Sequence, residues 1–230
     1  MVSPLESLPD AVIFDMDGLI FNSEVVFHTA WQMALVALGY APLDHGRYLQ
    51  LVGRSNDQAE QLMRQMLGAD FPVEEFRRLW SEEWLSLVKT EGLTVKPGLQ
   101  ELLDWLDHIG LPRAVGTSSD RNEAEVSLKS AGLWRRFDTV VTASDTGVGK
   151  PAPDIFLKAA QELGVAPQRC LVLEDSNAGV AAAQAAGMAA IMVPDLQTPT
   201  EASRDWAVAI HGSLHDVLTQ LRRTQLTCLT

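Results

Sequence analysis

From residue 97 onward, short and almost wholly apolar runs alternate with segments of helical periodicity. The runs are RAVGT (113–117), DTVV (138–141), CLVL (170–173), AAIMV (189–193) and WAVAI (206–210), and AVIF (11–14) precedes them near the start. Between them, Leu99, Leu102, Leu103, Leu106 and Ile109 share one helical face in PGLQELLDWLDHIG, and a polar helical stretch runs to Gly132. DIFLKAAQEL (154–163) stops at Gly164, an Ala-rich helix runs from Gly179 to Gly187, and Ser213 is placed to cap a last helix. Strands without polar alternation must be buried on both faces, and repeated strand-then-helix units of this length build a parallel sheet. The pattern predicts an α/β fold, a doubly wound parallel sheet with helices on both sides.

Residues 22 to 92 break this rhythm. Phe27, Ala30, Trp31, Ala34, Leu35 and Leu38 form one helical stripe, and Phe76, Leu79, Trp80, Trp84, Leu87 and Val88 form another. SNDQAEQLMRQML opens with Ser55 and Gln58 at capping-box spacing. An all-helical block inserted after the first strand predicts a smaller second domain, a helical cap over 21–92, beside an α/β core of 1–20 and 93–230. The hinges fall near Gly18 to Ser23 and Gly92 to Pro97.

A formal charge of -12 argues against nucleic acid or an anionic membrane surface as a partner, because both require clustered Lys and Arg. No stretch approaches the roughly 18 uninterrupted apolar residues of a membrane span, and MVSPLESLPD lacks the basic-then-apolar order of a secretion signal. A cytoplasmic location is expected. Cys170 and Cys228 fit neither a disulfide framework nor metal-ligand spacing, and Cys170, inside CLVL, reads as a buried bystander. Nothing in the sequence sets the oligomeric state, and a monomer is compatible with it.

In open α/β sheets ligands bind beyond the carboxyl ends of the strands. The residues there are Asp15, Asp17 and Gly18 after AVIF, then Thr117, Ser118 and Ser119, then Lys150 in GVGKPAPD, then Glu174, Asp175, Ser176 and Asn177 after CLVL. Asp15 and Asp17 lie two residues apart in an extended segment, so both carboxylates point the same way and repel. Clustered carboxylates call for a cation, and an oxygen-only set without His or Cys favours Mg2+. With Lys150 and hydroxyl donors beside it, the natural guest is a phosphoryl group. One of the paired acids can then attack phosphorus while the other moves the proton.

The wording and order of these segments resemble the haloacid dehalogenase superfamily of phosphotransferases, in the β-phosphoglucomutase-like subgroup with a helical cap inserted after the first strand. The likeness spans essentially the whole chain. DMDGLIFNSE resembles the first motif, VGTSSD the second, GKPAPDIF the third and VLEDSNAGVAAAQAAG the fourth. The resemblance implies a Mg2+-dependent phosphatase acting on a small phosphorylated metabolite, a sugar phosphate or similar, through an aspartyl-phosphate. It implies Asp15 as nucleophile, Asp17 as acid/base, Thr117 and Lys150 on the phosphoryl group, and Asp15, Asp17, Asp175 and Glu174 as the metal set. Asn22 stands where the first motif often has Asp. β-Phosphoglucomutase carries a His on its first cap helix at the position of Phe27. His28 lies one residue on and is turned away by about 100°.

The phosphosugar mutase is thus the runner-up. Dehalogenation is disfavoured because no oxyanion leaves for Asp17 to protonate. A phospho-signalling receiver also combines acids, Thr and Lys on a parallel sheet, but its motif order fits poorly and it has no helical insertion to enclose a small substrate. Ser118 and Ser119 can contact phosphate or serve as turn and cap residues, Ser118 being the one assigned to substrate. Arg54, in LVGRSND, is a substrate contact by position, against the plainer alternative of a solvated arginine. His28 reads as solvated, and His45, His108, His211 and His215 as members of no cluster.

Overall fold

In a computed structural model of the chain, residue 5, residues 7–51 and residues 56–227 are described. The chain divides into two compact units, Met1–Asn22 with Thr94–Thr230, and Ser23–Leu93. The first unit is built on parallel strands β1 (Ala11–Phe14), β2 (Arg113–Thr117), β3 (Thr139–Thr142), β4 (Cys170–Glu174), β5 (Ala189–Met192) and β6 (Ala209–Ile210). Their order is β3-β2-β1-β4-β5-β6. From β1 the chain builds outward to β3, then returns to place β4 on the other side of β1. The strand order therefore reverses at the β1–β4 pair, where an open sheet leaves a crevice at its carboxyl end. Phe14 lies opposite Leu173 in that pair, and the next residue, Asp15, donates its N–H to the Leu173 carbonyl at 2.9 Å.

The second unit holds helices α1 (Glu24–Ala37), α2 (His45–Leu49), α3 (Asn56–Leu67) and α4 (Val73–Glu91). α1 buries Ala30, Ala34 and Leu35, and α4 buries Phe76, Trp84 and Val88, all on the two stripes, with Val73 buried besides. The rings interlock: Trp31 meets Phe76 edge-on at 4.8 Å, and Phe27 stacks on Trp84 at 5.9 Å. α2 has no apolar periodicity to announce it and rests on its cap, Asp44, which accepts the Arg47 N–H at 3.0 Å. The Ser55–Gln58 capping box lies outside the described residues.

His28 departs from its sequence reading. It is half-buried, shares a hydrogen bond of 2.8 Å with Gln32 Nε2, and packs edge-on against Tyr48 and His45 at 4.6 and 5.7 Å. His45, expected to belong to no cluster, is therefore its neighbour. Burial and the adjacent His45 both lower the His28 pKa.

The α/β unit continues with α5 (Leu99–Ile109), α6 (Arg121–Ser130), α7 (Ala143–Thr146), α8 (Asp154–Leu163), α9 (Asn177–Ala185), α10 (Glu201–Trp206) and α11 (Leu214–Thr227). Ala11, Ile13, Ala114, Val141, Val172 and Ala190 of the strands form one core with Ile155, Phe156, Ala159, Ala182 and Ala183 of α8 and α9. The alanines let these helices lie close to the sheet. Each buried Ile or Phe contributes about 1.5–3 kcal/mol. Cys170 is buried in the same core, as expected.

Several boundaries differ from the sequence reading, and three of them have a cause in the local hydrogen bonds. Trp206, counted with the last apolar run, instead ends α10, whose Thr200 cap accepts the Ser203 N–H at 3.1 Å. That leaves only Ala209–Ile210 as an edge strand. DTVV is displaced by one residue because Thr142 completes β3 and caps α7 through Asp145. The Ala-rich helix starts at Asn177 rather than Gly179, because Ser176 Oγ accepts the Gly179 N–H at 3.0 Å. Ser213 caps α11 as expected, accepting the Asp216 N–H at 3.3 Å.

Candidate active site

β1 delivers Asp15 one residue beyond its last ladder position, and β4 delivers Glu174 at its end, so adjacent strands place two carboxylates at one level of the sheet. Glu174 is wholly inaccessible and Asp15 nearly so. Burying two like charges side by side is costly unless a counter-charge joins them. Lys150, from the loop between α7 and α8, supplies it. Its ammonium donates to Asp15 Oδ1 and, at 2.6 Å, to Glu174 Oε1. The ring of Phe156 lies under the same nitrogen at 4.8 Å, closing it from solvent.

The second Glu174 oxygen, Oε2, accepts the Ser176 N–H at 2.9 Å and the Ser176 hydroxyl at 2.8 Å. Glu174 is thereby folded under the first turn of α9. A Cβ at Gly179 would overlap its carboxylate. Gly18 is equally constrained. Its φ is +88°, and a Cβ there would stand 2.8 Å from Asp175 Cγ. Both glycines exist because acids pack against main chain.

Asp15, Glu174 and Asp175 each offer an oxygen within 4.8 Å of the other two. Burial pushes the Asp15 carboxyl up to about 7 against the pull of Lys150, with Glu174 and Asp17 adding to the rise. Asp175 is raised well above the carboxylate range by burial, then by Glu174 and Asp15. Burial alone would lower the Lys150 pKa, but the Asp15 and Glu174 carboxylates outweigh it and hold the ammonium above its ordinary range. One ammonium does not satisfy three acids, and an oxygen-rich, negatively charged pocket of this kind suits a hard divalent cation.

The hydroxyls of β2 complete the arrangement. Thr117 is buried at the strand end, and its Oγ1 accepts the Ser119 N–H at 3.0 Å, which leaves its own proton for a further acceptor. Ser118 is exposed, and its Oγ accepts the Lys150 N–H at 3.1 Å, tying the lysine loop to β2. Ser119 Oγ donates to Asp17 Oδ2 at 2.7 Å. Of the residues singled out in the sequence, Asp15, Lys150, Glu174 and Asp175 form one contiguous group, and Asp17, Thr117, Ser118 and Ser119 border it through these bonds and through the field of Asp17 on Asp15. Arg54 lies outside the described residues. Ser176, named in the sequence at the end of CLVL but given no role there, orients Glu174, and its signal was an N-cap position directly after paired acids.

The sequence profile of the haloacid dehalogenase-like hydrolases matches residues 9–187, a span that holds every acid of this group together with Thr117 and Lys150. The chain belongs to that family. Fructose-1-phosphate phosphatase YqaB of Escherichia coli K12 is 36% identical over 182 residues, covering 79% of this chain and 95% of the relative. Hexitol phosphatase A of the same organism is 35% identical over 184 residues, covering 79% and 81%. The crystal structure of CbbY from Rhodobacter sphaeroides in complex with phosphate superposes with a TM-score of 0.80 at 25% identity, over 94% of this chain and all of that one. This haloacid dehalogenase-like hydrolase therefore shares its fold with a phosphate-binding relative and its sequence with two phosphatases.

Proposed function

We propose that this hydrolase is a Mg2+-dependent phosphatase of small phosphorylated sugars or polyols, working through an aspartyl-phosphate on Asp15. The observation that carries the reading is the Lys150 ammonium bridging buried Asp15 and Glu174, with Asp175 beside them, at the carboxyl end of adjacent parallel strands. The two phosphatase relatives support the substrate class.

In this reading an Asp15 oxygen attacks phosphorus and the phosphorus–oxygen ester bond breaks, its electron pair leaving with the sugar oxygen. The Asp17 carboxyl proton goes to that oxygen. Asp17, now a carboxylate, then takes a proton from a water as the water attacks phosphorus, which releases phosphate and restores Asp15. Thr117 and Lys150 hold phosphoryl oxygens. Mg2+, held by Asp15, Asp175 and the Asp17 carbonyl, would offset the negative charge gathering around the phosphoryl group. Both Glu174 oxygens are engaged by Lys150 and Ser176, so we assign Glu174 to fixing Lys150 at the edge of the metal set. The α/β unit is assigned the chemistry, and the helical unit the choice of ester.

The mutase reading is not favoured. Phe27 is packed between Trp80 and Trp84, at 5.7 and 5.9 Å, and a phenyl ring moves no proton. The test is phosphate release from fructose 1-phosphate, hexitol phosphates and glucose 1-phosphate, with Mg2+ and with chelator. Metal-dependent release is expected. Conversion of glucose 1-phosphate to its isomer without release would overturn the assignment.

A further inference from the structure

We propose that Ser119 is a positioning residue that holds the Asp17 carboxyl in the orientation from which it protonates the leaving oxygen. The proposal rests on the phosphatase reading above. Ser119 is fixed at both ends: its N–H donates to Thr117 Oγ1 at 3.0 Å, and its hydroxyl donates to Asp17 Oδ2 at 2.7 Å, across 102 residues of sequence. It is half-buried, so water competes less well for either bond than at an open surface.

An aspartate carboxyl turns about a broad terminal torsion. Holding Oδ2 fixes the plane of the group and with it the place of Oδ1. The adjacent Ser118 hydroxyl does a different task, accepting from the Lys150 main chain, so these two neighbours serve different segments, the lysine loop and the end of β1. In the first half-reaction the bond from Asp15 to phosphorus forms, the ester bond breaks, and the Asp17 proton passes to the departing oxygen. A misdirected Asp17 slows that step only when the leaving oxygen needs the proton. An alkoxide needs it, whereas 4-nitrophenolate departs without it.

The experiment compares kcat/KM of wild type, Ser119→Ala and Ser119→Thr on glycerol phosphate and on 4-nitrophenyl phosphate, in one Mg2+ buffer, with melting curves as a check on folding. Ser119→Ala is expected to lose about tenfold on the alkyl ester and less than about twofold on the aryl ester, with Ser119→Thr restoring the alkyl rate. Equal loss on both esters, or none on glycerol phosphate, would overturn the positioning role while leaving the phosphatase reading intact. Wild-type enzyme that releases phosphate neither from these esters nor from fructose 1-phosphate and hexitol phosphates would overturn that reading and this proposal with it.

Discussion

In the α/β unit, charge is inside: Asp15, Glu174 and Lys150 are buried against one another, and Arg113 is buried beside Asp107. In the helical unit, among the described residues, charge stays at the surface, where Glu60, Glu74, Glu75 and Glu82 pair with Arg64, Arg77 and Arg78, while the interior is Trp, Phe and Leu. Exposed pairs of that kind add little to stability, and apolar burial adds much. Both units are held by apolar cores, and the α/β unit carries a buried charge cluster besides. That cluster is an electrostatic arrangement that a chain bent on stability alone would replace with apolar packing. The other unit keeps an ordinary apolar core.

The largest effect on this contrast comes from breaking it at its centre. Lys150→Met removes the cation shared by Asp15 and Glu174 and leaves both acids buried. It is expected to end turnover and to destabilise the α/β unit by about 3–5 kcal/mol in denaturant titration. Combining it with Asp15→Asn and Glu174→Gln should return most of the stability and none of the activity. A triple variant as unstable as Lys150→Met would mean that the lysine acts by packing rather than by charge.

Trp84→Ala tests the other side. Removing a ring that is 1% exposed and stacked on Phe27 is expected to cost about 3–5 kcal/mol. Hydrogen exchange should localise that loss to residues 23–93, with β1 and β4 still protected. Equal loss of protection in both strands would show that the units unfold as one.

A smaller, pH-dependent effect sharpens the contrast. Burial first, then the Asp120 carboxylate, pushes Glu123 from 4.5 up to about 7. The folded chain thus holds this proton to higher pH than the unfolded chain does. Its favourable contribution is complete below about 4.5 and lost as pH rises through about 7. Glu123→Gln removes the titration while keeping an oxygen for the Asp120 N–H, so the Tm of the variant relative to wild type should climb between those pH values. A constant difference would assign Glu123 to capping alone.

The gathering of Asp15, Glu174 and Asp175 was legible in the sequence because the parallel strands end where these acids meet. AVIF is followed at once by DMDG, and CLVL by ED, so the apolar run located the sheet and the acids that end it located the crevice. Side-chain direction beyond the strand was not legible. Nothing in TSS distinguishes a hydroxyl tied to the Lys150 main chain from one tied to Asp17, because that depends on how loops more than thirty residues apart in sequence meet. β6 and α10 were misread for a related reason: WAVAI is apolar throughout, but the edge of a sheet pairs on one side only, and a Thr cap upstream was enough to keep Trp206 in a helix. His28 was misread because distance from an apolar stripe does not imply water when a second helix supplies His45 and Tyr48.

In the proposed mechanism Asp15 carries the phosphoryl group. Rapid quenching of turnover on fructose 1-phosphate with Mg2+, followed by acid digestion and mass mapping of the AVIFDMDGLI segment, tests it most directly. A transient phosphoryl group on Asp15, absent in Asp15→Asn together with at least about 10⁴-fold of the activity, is the predicted result. Phosphate release with an unmodified Asp15, or turnover retained by Asp15→Asn, would contradict it.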